Sequence, residues 1–226
     1  AGRVVCIDPD AQMLELLGPE FRGDALYRSD GVLAENGHIY FAPFDAPGVL
    51  HIDSETQEVD LLEPRFHGSA MYDAGGVLGK DGKIYFAPCN ALHVLCVDPR
   101  TQTVEELAPA LIGLQKFRGA GVLAENGRIF FAPCSYDAIL CIHSDGVVPE
   151  PTWAQTRFRS HAFVWRLLGV APSNAFGHID EYCEGGVLAR TGEIFCPPAK
   201  ASGILCVHSV TLNVEQWAHE GSLGPG

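Results

Sequence analysis

Basic residues are scarce in this chain. Lys and Arg number 15 against 28 Asp and Glu, a formal charge of -13 over 226 residues. That balance repels phosphate backbones and anionic headgroups, so no nucleic-acid partner is expected. Long hydrophobic runs are missing as well. A spanning helix needs about 20 apolar residues, and the best stretch, His161 to Val170, contains Arg166, so no membrane span is expected. The first residues carry no basic segment, apolar stretch and small-residue cleavage site, and the chain opens on Ala1 rather than Met; processing, or excision from a longer chain, is the expectation this leaves. Sequence motifs for chemistry are also absent. There is no C-x-x-C pair, no His-Glu-x-x-His, no nucleophile elbow and no Gly-rich phosphate loop, so the expectation is no cofactor, no metal and no catalytic residue assigned by motif.

Material for a core is plentiful. Hydrophobic residues make up 47% and charged residues 19%, which sets the chain apart from disordered sequences of low hydrophobicity and high charge. Self-similarity is the dominant feature. Four copies of one phrase begin at Gly31, Gly76, Gly121 and Gly186 and end at Pro43, Pro88, Pro133 and Pro198, with spacings of 45, 45 and 65 residues. A second phrase follows each: Val49–Asp53, Val94–Asp98, Ile139–His143 and Ile204–His208, and a fifth copy, Val4–Asp8, opens the chain. A period near 45 residues built from strand-like units is the pattern of propeller blades, in which each four-stranded sheet covers its faces by stacking on neighbours.

Within a repeat, strand a ends the first half-phrase, strand b runs to the proline, strand c is the second phrase and strand d follows a turn; in the third copy a is near Gly119–Leu123, b is Arg128–Pro133 and c is Ile139–His143. Asn36-Gly37, Asp81-Gly82 and Asn126-Gly127 supply the positive φ of a two-residue hairpin, and Thr191-Gly192 keeps the glycine. The fold expected is all-β: a single propeller domain over residues 1–226, with a half blade at 1–20, four full blades at about 21–64, 65–109, 110–152 and 176–220, and an insertion at about 153–175. Five strand c phrases against four hairpins imply an incomplete ring, belonging to a longer propeller or closed by a partner.

The phrase Gly-Val-Leu-Ala-x-Asn-Gly-x-Ile-Tyr-Phe-Ala-Pro with Val-Leu-Cys-Ile-Asp-Pro resembles the repeats of uncharacterised kelch-like or NHL-like propeller proteins of protists and algae. More distantly it is similar to streptogramin-lyase and gluconolactonase propellers. The resemblance implies a propeller fold; the lyase and lactonase relatives imply His and carboxylates with a divalent cation at a central channel, but no position here matches their catalytic motif.

In a propeller the b–c and d–a loops share one face, where ligands bind. On that rule the channel-mouth candidates are Asp45, His67, Asn90, Asp137, Asp180 and Glu181, with Tyr27, Tyr72, Tyr136 and Tyr182 as a weaker carbohydrate-binding set. Cys6, Cys96, Cys141 and Cys206 share one repeat position, with His51 in the fifth copy, and Cys89 and Cys134 share another. Equivalent positions on successive blades are too far apart for one metal site, so these read as small buried residues of a reducing compartment; Cys89 with Cys96 is the local pair left open. His143 and His208 replace an Asp and read as turn residues. The stretch from Trp153 to Gly169 concentrates Trp153, Arg157, Phe158, Arg159, Phe163, Trp165 and Arg166, residue types of interface hot spots. It is expected in a d–a loop on the ligand face, with a short helix near His161–Leu168. Two functions follow: a non-enzymatic scaffold binding a protein partner through these residues, as a subunit of a larger assembly; and, as the rival, a metal-dependent lactonase-like or lyase-like enzyme at the channel mouth, using Asp45, Asp137, Asp180 or Glu181 with His67.

Overall fold

Alternating apolar positions and short turns dictate strands, and strands are what form. The computed structural model describes residues 2–144, 165–169 and 182–218. Among them every regular element is a β-strand and every pairing is antiparallel. The first sheet has two strands, β1 (Val4–Asp8) and β2 (Met13–Leu17). Four meanders of four strands follow: β3 (Val32–Leu33), β4 (His38–Phe41), β5 (Val49–Asp53), β6 (Val59–Leu62); β7 (Val77–Leu78), β8 (Ile84–Phe86), β9 (Val94–Asp98), β10 (Thr103–Leu107); β11 (Val122–Leu123), β12 (Arg128–Phe131), β13 (Ala138–His143), β14 (Trp165–Gly169); and β15 (Val187–Leu188), β16 (Glu193–Cys196), β17 (Gly203–His208), β18 (Val214–Ala218). The half blade and four blades of the repeat pattern are these five sheets.

The third meander corrects the sequence reading. Where a helix is expected near His161–Leu168, Trp165–Gly169 is β14, placing Trp165 opposite Ile142 and Arg166 opposite Cys141 of β13; residues 161–164 lie outside the described set. The physical reason is the edge of β13, whose backbone groups need a fourth strand. The inserted length is thereby relocated. Residues 144–164, 21 in all, separate β13 from β14, where four or five separate strands c and d in the other sheets. By contrast the d–a connection before β15 is 17 residues against 14 elsewhere. Most of the insertion lies between c and d.

The a–b turns also differ from expectation in detail. Only the glycines take positive φ, at 82° for Gly37, 78° for Gly82, 81° for Gly127 and 93° for Gly192, while Asn36, Asp81 and Asn126 do not. Gly37 N donates to Ala34 O and Ala34 N to His38 O, a three-residue loop in which a left-handed glycine closes the turn. The asparagine is released for another task. Asn36 Nδ2 donates to Pro99 O at 3.0 Å in one pair of sheets, and Asn126 Nδ2 to Ser209 O at 3.0 Å in another. Each ties an a–b turn to the c–d turn of the next sheet.

At the end of strand c an acceptor side chain caps the turn. Asp8, Asp53 and Asp98 each take backbone N–H groups two or three residues ahead, and these bonds hold the Asp53 carboxyl below its usual range. His208 does the same through Nδ1, to Val210 N and Thr211 N, as the turn reading of this histidine expects.

Packing divides the chain into two compact units, Ala1–Leu78 with Gly82–Ile112, and Gly79–Asp81 with Gly113–Gly226. In the first unit one cluster joins Val4 and Leu17 to Leu50, Ile52 and Val59, and a second joins Tyr40, Ala42 and Val49 to Tyr72, Ile84, Phe86, Leu95 and Val97. In the second unit Phe130, Ile139 and Cys141 pack with Tyr182, Ile194, Leu205 and Val207. Sheet-on-sheet burial is what holds each unit.

Candidate functional site

The d–a connections are organised by one repeat position the sequence reading treated as surface. Four residues before each repeat glycine stands an aromatic: Tyr27, Tyr72, Phe117, Tyr182. Tyr27, Tyr72 and Tyr182 donate their hydroxyls to Gly48 O, His93 O and Gly203 O, at 2.9, 3.1 and 3.0 Å. Burial raises the Tyr27 and Tyr72 hydroxyls far above the usual tyrosine range. These rings brace loops from inside.

In the first unit the channel-mouth candidates converge on one connection. Asp45 Oδ1 accepts from Ser69 Oγ and from Ala70 N, both at 2.8 Å, while Asn90 Nδ2 donates to Ser69 O at 3.2 Å and Asn90 N to Ala70 O at 2.9 Å. The two polar groups pin the same d–a connection. His67 is exposed two residues before Ser69. Beside them the Arg28 guanidinium lies 4.6 Å over the Phe44 ring and 3.8 Å from Asp73. At 3.8 Å and with the Arg28 side of the pair open to solvent, the ion pair contributes little; the stacked arginine orders the rim.

In the second unit Asp137 is exposed and Tyr136 rests its ring 5.5 Å from Phe117, its hydroxyl pushed up first by burial and then by Asp137. Asp180 and Glu181 lie outside the described residues, as do Trp153, Arg157, Phe158, Arg159 and Phe163. For Trp165 and Arg166 only the strand position is described. In sequence, Trp153 to Phe163 fall between β13 and β14 of the third meander. Among the described residues no three His, Cys, Asp or Glu stand close enough to hold a metal ion.

Three arrangements escaped sequence reasoning. His38 Nδ1 and His51 Nε2 face each other at 2.6 Å across β4 and β5, and burial, then His38, lowers the His51 pKa; the substitution of His for the repeat cysteine at 51 was the available signal. Cys134 and Cys183 bring their sulfurs to 2.7 Å, a pairing that crosses repeats and left no spacing to read. Third, the β1–β2 sheet has one face exposed among the described residues. Val5 pairs with Leu16 and Ile7 with Leu14, so all four project to one side; Val5 is 48% and Ile7 69% exposed. Their repeat equivalents Leu95, Leu140, Leu205, Val97, Ile142 and Val207 are all buried. Among the described residues no strand pairs with the outer edge of β1, and an open groove of roughly 520 Å³ runs beside it, walled by Val4, Val5, Tyr27, Phe41, Leu50 and Ile52.

No family model matches the chain, and no curated protein does. Solved structures do match. Virginiamycin B lyase from Staphylococcus aureus superposes with a TM-score of 0.67 at 14% identity, over 98% of this chain and 64% of that one. The extracellular domain of a putative one-component system from B. thetaiotaomicron gives 0.61 at 11% identity, over 96% of this chain and 28% of that one. A putative gluconolactonase gives 0.50 at 11% identity, over 92% and 67%. The chain therefore spans less than two thirds of the first lyase's length. At these identities the likeness is one of fold, and the fold is an all-β propeller.

Proposed function

We propose that this chain is a non-enzymatic propeller scaffold that holds a protein partner, and that the partner covers the β1–β2 sheet. The observation that carries the reading is the apolar face of Val5, Ile7, Leu14 and Leu16, on which Val5 and Ile7 are exposed where their equivalents in the other four copies of strand c are buried; exposed apolar patches bounded by polar residues mark interaction surfaces. Support comes also from Asp45 and Asn90, whose polar atoms brace a loop. The occupant fitting the free edge of β1 is a β-hairpin with alternating Ile and Tyr or Phe, because such residues lie opposite strand c in the full sheets, Ile39 on Ile52 and Tyr40 on His51; adding a strand gives main-chain bonds, and its alternate side chains enter the groove beside Val4 and extend the opposite face beside Ile7. Composition of the segment Trp153, Arg157, Phe158, Arg159, Phe163, Trp165 and Arg166 supports a second contact with the same partner.

The probe is a synthetic hairpin peptide with the sequence of residues 30–43. Saturable binding that protects the Val4–Asp8 amides from hydrogen exchange, and that is lost in Ile7→Asp, is expected. Unchanged exchange at saturating peptide, or equal protection in Ile7→Asp, overturns the hairpin site. For the second contact, Trp153, Phe158 and Trp165 replaced together by Ala should remove the partner from a pull-down; full retention counts against it.

A further inference from the structure

We propose that Cys134 and Cys183 are a redox-active pair that closes to a disulfide by exchange with a glutathione-type disulfide. Their sulfurs lie 2.7 Å apart, where a disulfide needs about 2.05 Å. Backbone bonds hold the two residues in place from both sides. Tyr182 N donates to Pro133 O at 3.2 Å, joining the residues just before each cysteine, and Cys134 N donates to Lys116 O at 2.7 Å. Close by, a Cβ on Gly119 would fall 2.3 Å from Gly185 N, so the connections entering β11 and β15 run in direct backbone contact.

The repeat shows why the pair occurs here. Tyr72 N donates to Pro43 O at 3.1 Å in the same way, and the residues that follow are Phe44 and Asp73, which leave no such chemistry. The fold presents two side chains at this crossing, and the third-to-fourth step fills both places with cysteine. Of the other thiols, Cys89, Cys96, Cys141, Cys196 and Cys206 are buried in sheets or beneath loops and Cys6 is half-buried in β1; Cys183, also half-buried, is within reach of a solute and has the Cys134 sulfur beside it. Burial pushes the Cys196 thiol up to about 12, away from the thiolate that reacts.

The exchange balances in two steps. The Cys183 thiolate attacks one sulfur of oxidised glutathione, breaking its S–S bond and releasing one glutathione thiolate, which takes up a proton. Cys134, deprotonated, then attacks Cys183 Sγ of the mixed disulfide and releases the second glutathione. Two protein thiols become one disulfide, and the oxidant becomes two thiols carrying the two protons. The bond would tie the b–c loop after β12 to the segment entering β15.

The full chain, folded and reduced, is incubated with excess oxidised glutathione, alkylated and digested without reduction. Peptides containing Cys134 and Cys183 should appear joined, two hydrogens lighter than their sum. The melting temperature should rise by about 5 °C or more and fall back with dithiothreitol. Cys183→Ser should abolish the cross-link, and Cys134→Ser, or Cys134→Ala if the serine variant does not fold, should leave Cys183 as the glutathione mixed disulfide. Alkylation of both cysteines after oxidation, a mixed disulfide on Cys183 of the wild-type chain that never resolves, or a cross-link to another cysteine overturns the proposal.

Discussion

Strand β5 and strand β1 are copies of one phrase with opposite fates. In β5, Leu50 and Ile52 are 5% and 7% exposed, while in β1 the equivalent Val5 and Ile7 are 48% and 69% exposed. Both strands pair antiparallel with a d strand, so the local sequence is sufficient for the strand. Burial is decided by what lies beside it. Leu50 and Ile52 rest on Val4 and Leu17 of the two-stranded sheet, and on the far side of that sheet Val5 and Ile7 stay exposed. A repeat protein is stabilised by intrinsic strand formation plus an interface with each neighbour, and β1 has one such interface where β5 has two.

The largest expected effect tests that asymmetry directly. Leu95→Ala, in a fully buried copy of the phrase, should cost about 3 kcal/mol in urea unfolding through lost transfer energy and a cavity, while Val5→Ala at the equivalent exposed place should stay within about 0.5 kcal/mol. Equal losses would break the comparison. A smaller effect, about 1–2 kcal/mol, is expected for Tyr72→Phe, which keeps the ring but strips His93 O of its buried donor. Phe117 already occupies this place in the third repeat, so a loss near zero would mean the ring alone braces the loop.

The smallest effect sharpens the contrast between His51 of β5 and Cys6 of β1. The His51 pKa is lowered by burial and by His38, against the opposing pull of Asp60 and Asp53. A folded-state value below the unfolded one, near 6.5, means the neutral ring is favoured in the fold. Its contribution is full above about pH 6.5 and lost as pH falls through the folded value. Melting temperatures at pH 7.5 and pH 5 should therefore differ more for the natural chain than for His51→Cys, which restores the residue found in the other copies. An identical pH dependence would assign the acid sensitivity elsewhere.

Much of the molecule was legible in its residues because a four-strand repeat writes itself at fixed spacing. Strand β10 falls at Thr103–Leu107, the span the turn signals give it, and His208 caps its turn as a stand-in for Asp. The site was far less legible. Asp45 and Asn90 stand in variable loops, and only the fold shows that Ser69 and Ala70 take up their polar atoms. Tyr72 and Tyr182 look like rim aromatics until their hydroxyls are seen inside the sheet stack. Trp165 and Arg166 carry the composition of a helix or loop contact, yet the open edge of β13 draws them into a strand.

What the sequence determined alone is therefore local and periodic: strands, turns with a left-handed glycine, and a core face recurring at spacings of 45, 45 and 65 residues, all set by backbone sterics and side-chain alternation. Which copies are covered, which asparagines latch neighbouring turns, and which two cysteines meet were decided by tertiary structure, because each depends on residues far apart in sequence that come together only when one sheet is laid against the next.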